Sequence, residues 1–156
     1  MKQDRFLMGI LAGIGALIVI ALVLFFTRQD TKEYKTDGAP ASVVFNYVLA
    51  VTDQEYEQAY SYLADLENKP TYEEFRQSFL NGMINADNVG VDVGEAEIDG
   101  QVASVEVNLI YASSDPFSSS YRNLDRASLV REDGEWKISS MPCNFWDYNW
   151  YQEPIK

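Results

Sequence analysis

The sequence predicts an α+β protein in which an N-terminal transmembrane helix precedes about three helices packed on a curved antiparallel sheet. Three observations predict this class. The first is an unbroken apolar run at residues 6–26. The second is that apolar residues recur at helical spacing between residues 44 and 79. The third is that from residue 89 onward apolar residues alternate with polar ones. Because the helical patterns precede the strand patterns instead of alternating with them, we expect the helices to cover one face of an antiparallel sheet.

The apolar run reads "FLMGILAGIGALIVIALVLFF" and contains no charged side chain. As a helix it would be about 30 Å long, which matches the hydrocarbon core of a bilayer. A cleaved signal peptide is the main alternative, but its apolar region is shorter and ends in small residues. Here the run ends in Phe25 and Phe26. The sequence therefore favours an uncleaved anchor, with the lipid bilayer as its partner.

Basic residues flank the run on both sides, with Lys2 and Arg5 before it and Arg28, Lys32 and Lys35 after it. The charge rule for orientation is therefore nearly balanced. A short basic tail is easily retained inside, whereas a long domain is exported largely regardless of its charge. We expect a single-pass protein of the cell membrane, with the N-terminus inside and the C-terminal domain extracytoplasmic.

Within the run, Gly9 and Gly13 form a G-x-x-x-G pattern. This spacing lets two spanning helices approach closely, so it is compatible with a homodimer through the membrane. Glycine is also common in spanning helices that do not dimerise. Both interpretations stay open.

The predicted organisation has four parts. A tail at residues 1–5 and the transmembrane helix at 6–26 are followed by a polar linker at 27–38, which closes on Gly38, and by the α+β domain at 39–152.

Two helices are predicted at the start of the domain because apolar residues there follow the spacing i, i+3, i+4, i+7. The first set is Val44, Tyr47, Val48 and Val51, and the second is Tyr56, Ala59, Tyr60 and Leu63. Asp53 is placed to cap the second helix. Thr71 and Glu74 have the spacing of a capping box, which predicts a third helix as far as about Gly82.

The first two strands are predicted from alternation that starts at Val89. The alternation slips in phase at Gly94, as a β-bulge at a glycine would produce. Asp99-Gly100 predicts a two-residue hairpin turn, and the returning strand alternates from Ala103 to Tyr111.

Two further strands are predicted after the polar loop "ASSDPFSSS". The third covers about residues 122–131, and Asp133-Gly134 turns the chain into the fourth. In that last strand Trp136 and Ile138 point the same way.

Composition excludes several classes of function. Beyond residue 38 the chain has seven basic and twenty acidic residues, a charge that repels nucleic acid. There is no histidine and only one cysteine, Cys143, which excludes Ser-His-Asp and Cys-His catalysis and the usual zinc sites. The acidic stretch "NADNVGVDVGEAEIDG" lacks the spacing of a calcium loop. We therefore expect no metal site and no cofactor.

The segments "GAPASVVFNYVLAVTDQEYEQAYSYLAD" and "ASLVREDGEWKIS" resemble the nuclear-transport-factor-2-like superfamily, in particular its membrane-anchored bacterial members of unknown function. The resemblance covers residues 39 to 142 and rests on the helix pattern of Tyr56, Ala59, Tyr60 and Leu63 and on the Trp136-x-Ile138 strand. It implies a cystatin-like, cone-shaped domain whose curved sheet wraps the helices around a concave pocket. Some members are isomerases, dehydratases or cyclases, so the fold does not decide the activity.

Two functions follow as hypotheses. The first is a non-catalytic module of the cell envelope that binds a partner protein or a small apolar ligand. The second is an isomerase or dehydratase that uses an aspartate as base and a tyrosine as oxyanion donor. The candidate catalytic residues, chosen for position and type, are Tyr47, Tyr60, Tyr111 and Asp125.

The aromatic segment "CNFWDYNWYQ" follows the last predicted strand. Trp146, Tyr148 and Trp150 alternate as on an edge strand, which would make them a flat binding patch. A spacing of three relates Phe145, Tyr148 and Tyr151, so strand and helical spacing are equally compatible. The alternative is that the rings seal the open end of the core. We favour the seal, with the three alternating rings as the candidate binding residues.

Overall fold

The computed structural model describes residues 5–27, 33–87, 89–111 and 120–152. Three predicted segments lie partly outside the described residues: the tail at 1–5, of which 1–4 are not described, the linker, of which 28–32 are not described, and the loop after the second strand, of which 112–119 are not described. The chain divides into an N-terminal unit that ends at Glu33 and a second unit that begins at Tyr34.

The N-terminal unit contains one helix, α1, at Arg5–Thr27. Its side chains are described for residues 8–11 and 13–23, which are exposed and include Gly9 and Gly13. Counting only what the structure describes, no helix combines the length and the apolarity needed to cross a membrane. The anchor at residues 6–26 stays a prediction, because the side chains at both of its ends lie outside the described residues.

The second unit begins with the three predicted helices. They are α2 at Pro40–Thr52, α3 at Tyr56–Ser61 and α4 at Tyr72–Leu80. The capping box that starts α4 is present. The Thr71 hydroxyl accepts from the Glu74 amide, and the Glu74 carboxylate accepts from the Thr71 amide at 2.8 Å.

The cap predicted for α3 is wrong. Asp53 ends α2, and the residue before α3 is Glu55, whose side chain makes no capping hydrogen bond. The amide of Gln54 bonds the Val51 carbonyl, and that of Glu55 bonds the Ala50 carbonyl. This is a Schellman motif with Gln54 in the left-handed conformation, at φ 60°. Because that motif takes up the short connection, no residue is left to cap α3 with its side chain.

The sheet is an antiparallel meander in the order β1-β2-β3-β4. Its strands are β1 at Val89–Asp99, β2 at Val102–Tyr111, β3 at Tyr121–Glu132 and β4 at Glu135–Ser140. The α+β class and the helix-then-meander order are therefore confirmed.

Both predicted hairpins are present, and one of the two predicted turns has the predicted residues. Glu132 pairs with Glu135, so Asp133 and Gly134 form the loop, with φ values of 50° and 90°. The first hairpin differs by one position, because Asp99 pairs with Val102 and leaves Gly100 and Gln101 as the loop. Gly100 supplies the positive φ, at 59°, that this turn needs.

The bulge predicted in β1 is confirmed. The pairing with β2 shifts between Val93 and Ala96, so both side chains face the helices although they are three residues apart. A Cβ on Gly94 would lie 3.0 Å from that of Glu106. Glycine thus lets the two strands approach closely here, whereas a larger residue would push the Glu106 side chain aside.

Part of the predicted linker is held against α2. The Lys35 amide donates to the Asn46 side chain at 2.8 Å, and the Asn46 side chain donates back to the Lys35 carbonyl at 2.8 Å. The neighbouring Tyr34 hydroxyl donates to Glu55. Asn46 is buried at the edge of the core. Its amide side chain therefore satisfies the main-chain N–H and C=O of Lys35, as a neighbouring strand otherwise would.

Candidate functional site

The space between the helices and the sheet is filled by side chains. Tyr47, Phe75 and Phe145 are its largest fully buried members. The Tyr47 ring meets Phe75 edge to face, and its hydroxyl donates to the Phe145 carbonyl at 2.7 Å. The centre of the concave pocket that the family resemblance implies is therefore occupied by the core in this chain. An open groove of about 720 Å³ remains where the ends of α2 and α4 meet β1 and β2.

The predicted catalytic residues Tyr47 and Tyr60 do not line a shared pocket. Tyr47 belongs to the filled core, where burial, followed by the nearby Tyr151, raises its pKa far above the usual range. Tyr60 donates its hydroxyl to the Pro70 carbonyl at 2.9 Å and packs edge to face on Phe75. Both hydroxyls are used as donors to main-chain carbonyls, so neither is free for a substrate.

The other two candidates, Tyr111 and Asp125, are not directly paired, because Asp125 pairs with Val107 and Tyr111 with Tyr121. They are on the adjacent strands β2 and β3, and their register places both on the side that faces the helices. Burial raises the pKa of the Tyr111 hydroxyl, and the charges of Cys143 and Asp125 raise it further. The hydroxyl donates to the Asn144 side chain at 2.8 Å, so the structure gives it an internal partner.

The aromatic segment at residues 141–152 folds as a series of turns, not as an edge strand. Trp146 and Trp150 are 8% and 6% exposed, whereas Tyr148 is 85% exposed. The three rings therefore do not form the flat patch on an edge strand that their alternation predicted. Two of its members are part of the core and one projects from the surface.

Stacked rings hold this segment in place. Trp150 packs against Phe75 with ring centroids 5.0 Å apart, and Trp146 packs against both Trp150 and Tyr151. The Tyr151 hydroxyl donates to the Ala64 carbonyl at 2.6 Å. The segment thus seals one end of the core, as the alternative interpretation of its sequence expected.

A buried carboxylate fixes the turn that exposes Tyr148. One oxygen of Asp147 accepts from the main-chain and side-chain nitrogens of Asn149, at 2.9 and 3.0 Å. The other accepts from the Ser78 hydroxyl on α4 at 3.2 Å. Sequence reasoning missed Ser78 and Asp147. The signal in the sequence was the Asp147-x-Asn149 pattern, which is typical of an Asx turn.

An open groove of about 890 Å³ lies between α4 and this segment. Two of the three predicted binding residues, Tyr148 and Trp150, line it. The remaining lining is mostly polar and comprises Asn68, Lys69, Pro70, Glu74, Gln77, Ser78, Asn81, Met83, Asp147, Asn149 and Gln152. This groove is the best candidate for a binding site.

The charged groups of the groove already have partners. Lys69 lies over the Tyr60 ring, donates to the Leu63 carbonyl at 3.3 Å and approaches Asp65 at 3.8 Å. The hydrogen bond from the Thr71 amide lowers the pKa of Glu74. Among the described residues, no cluster of three or more His, Cys, Asp or Glu side chains could hold a metal ion.

No protein-family model and no curated protein matches the chain. Among solved structures, it is similar to an uncharacterized cystatin fold protein from Novosphingobium aromaticivorans, with 10% identity and a TM-score of 0.42, over 67% of this chain and 97% of the other. It is also similar to a variant of a protein of unknown function from Mycobacterium tuberculosis, with 17% identity and a TM-score of 0.39. That match covers 63% of this chain and 64% of the other. At these scores neither likeness establishes more than the chain's own elements do.

Proposed function

We propose that the chain is a membrane-anchored, extracytoplasmic binding module of the nuclear-transport-factor-2-like, cystatin-like type, and that it is not an enzyme. Residues 6–26 would anchor it, and the groove beside Tyr148 would recognise its partner in the cell envelope. The apolar run supports the anchor, and the order of helices and strands supports the fold type.

The observation that carries the proposal is the filled interior. Tyr47, Phe75 and Phe145 fill the centre of the space between the helices and the sheet. A ligand site is normally a concavity with a few convergent polar groups. The groove between α4 and the C-terminal segment meets that description, whereas the filled centre of the domain does not.

The isomerase or dehydratase alternative would need Asp125 as base and Tyr111 as oxyanion donor. It has less support, because the Tyr111 hydroxyl already donates to the Asn144 side chain. In the described part of the chain, neither residue lines the open grooves of about 720 and 890 Å³. The homodimer through Gly9 and Gly13 stays a separate proposal. It predicts crosslinked dimers that disappear when both glycines are changed to isoleucine.

Two measurements test the proposed function. Membranes from cells that express the full chain should retain it after alkaline carbonate washing, and a chain without residues 6–26 should be released. In the full chain, NMR signals from the rings of Tyr47, Phe75 and Phe145 should not shift when naphthol is added as an apolar probe. A fully released chain would refute the anchor, and saturable shifts of those three rings would refute the closed interior.

A further inference from the structure

The ligand class of the groove follows from its lining. We propose that the groove between α4 and the C-terminal segment binds a neutral glycan, which stacks on Tyr148 and bonds the amide side chains of Gln77, Asn81 and Asn149. This inference rests on the proposed function, because it names the ligand of the same groove.

The exposed ring supplies the stacking surface. Tyr148 is 85% exposed, while the neighbouring Trp150 is buried against Phe75 and Phe79. Asp147 and Asn149 fix the turn on either side, so the ring projects from a rigid support. The face of an aromatic ring is electron-rich, and it attracts the polarised C–H groups on one face of a sugar ring.

The amide side chains supply unused hydrogen-bonding groups. Gln77 donates to Glu73 at 2.8 Å, Asn149 donates to Asp147, and Asn81 accepts from the Met83 amide at 3.0 Å. Within the described chain these side chains make no other hydrogen bonds, which leaves two amide oxygens and one amide nitrogen to face solvent. Sugar hydroxyls both donate and accept, so they complement such a mixed set.

The charges of the groove favour a neutral ligand. The one basic side chain of the groove's described lining, Lys69, is engaged by Leu63, Asp65 and Tyr60. An anionic polymer would therefore meet no free cation among the described residues of the groove, and the excess of acidic residues beyond residue 38 would repel it. A cationic ligand would have to compete with Ser78 and Asn149 for the Asp147 carboxylate, and with Thr71 for the Glu74 carboxylate.

A proline-rich peptide is the second class of ligand that aromatic grooves take. Such peptides dock in slots between exposed aromatic rings. In this groove Trp150 is buried, and Tyr148 is the exposed ring of the described lining. A single ring offers a stacking platform but no slot, which is why a glycan fits better.

The test uses the full chain in nanodiscs, so that no sugar-based detergent competes. The probes are cellohexaose and chitohexaose as neutral glycans, hexagalacturonate as an anionic glycan and decaproline as a peptide, each followed by titration calorimetry. We expect at least one neutral glycan to bind and the other two probes not to bind. Tyr148→Ala should weaken binding at least about tenfold, as truncation of a binding hot spot does, whereas Tyr148→Phe should keep it.

The matched control is Tyr121→Ala, since Tyr121 is also exposed but lies on β3, away from the groove. Its affinity should equal that of the unchanged chain. Failure of both neutral glycans at millimolar concentration would overturn the inference, as would equal loss in Tyr121→Ala and Tyr148→Ala. Tyr148-dependent binding of decaproline or hexagalacturonate would also overturn it, yet would leave the binding module and its anchor intact.

Discussion

The Tyr47 hydroxyl donates a hydrogen bond of 2.7 Å to the main-chain carbonyl of Phe145, and both side chains are fully buried. This bond ties α2 to the segment that closes the core. It links residues that are 98 positions apart in the sequence, so it forms only when the domain is assembled.

Tyr47→Phe should show how much that hydrogen bond contributes to the free energy of unfolding. The substitution keeps the ring but leaves the Phe145 carbonyl buried without its partner, which costs about 1–3 kcal/mol. Urea denaturation of the full chain should show this loss in the free energy of unfolding. Tyr148→Phe removes an exposed hydroxyl and should change stability by less than about 0.5 kcal/mol. Equal stability of the two variants would contradict the assigned role.

Stability should fall at alkaline pH. Burial raises the pKa of Tyr47 and of Tyr151 above that of tyrosine in the unfolded chain, about 10. The stabilisation is complete below pH 10 and is lost as the pH rises toward the folded-state pKa, because only the unfolded state then releases its protons. For Tyr47 the slope approaches about 1.4 kcal/mol per pH unit.

Urea midpoints measured from pH 8 to pH 12 check this expectation. Tyr47→Phe and Tyr151→Phe should each flatten the decline, the first more strongly, since Tyr151 is only partly buried. A decline of unchanged steepness in both variants would assign the alkaline transition to other groups.

Trp150→Ala and Tyr148→Ala should separate the seal from the exposed ring. Trp150 packs on Phe75 and Phe79 in the core, so its truncation should cost about 3–5 kcal/mol. Tyr148→Ala should cost less than about 0.5 kcal/mol. A chain that ends after Pro142 should lose its cooperative thermal transition by circular dichroism. If that shortened chain unfolded cooperatively at the same temperature, the aromatic segment would not be a seal.

Asn46→Ala should release the segment that precedes α2. The Lys35 amide would lose its partner, and its hydrogen exchange should accelerate toward that of a free amide. The free energy of unfolding should fall by about 1–3 kcal/mol because buried polar groups lose their bonds. Asn123→Ala, at an exposed position of β3, is the control and should leave the exchange of Lys35 unchanged.

Thr71→Ala should weaken the start of α4. Loss of an N-cap hydroxyl costs about 1 kcal/mol, measured as a shift of the urea midpoint. Thr52→Ala is the matched control, because the Thr52 hydroxyl bonds only the Val48 carbonyl of its own helix and is exposed. The capping role would be refuted if Thr52→Ala destabilised the protein as much as Thr71→Ala.

Several elements were predictable because their signals are local. The capping box at Thr71, the bulge at Gly94 and the Asp133-Gly134 turn each depend on a few neighbouring residues. The cap predicted at Asp53 is wrong because its position before α3 suits an N-cap, whereas the structure ends α2 there. The chain reverses direction at Gln54, directly after Asp53.

The candidate groove could not be derived from the sequence. The aromatic segment satisfies both strand and helical spacing, and its turns depend on Ser78 and Asn68, which are distant in the chain. Trp150 is buried and Tyr148 is exposed because α4 leaves room for only one of these two rings against Phe75. Periodicity carries no information on that point.

By itself, the sequence determined the α+β class, the order of helices and strands, and the absence of histidine chemistry, because composition and short-range periodicity encode them. The tertiary structure alone decided that Tyr47 is a core residue, that Trp146 and Trp150 are buried and that Tyr148 is exposed. The physical reason is that burial depends on which distant surfaces meet. The spacing of apolar residues in the sequence predicts which side chains are buried only within a regular helix or strand.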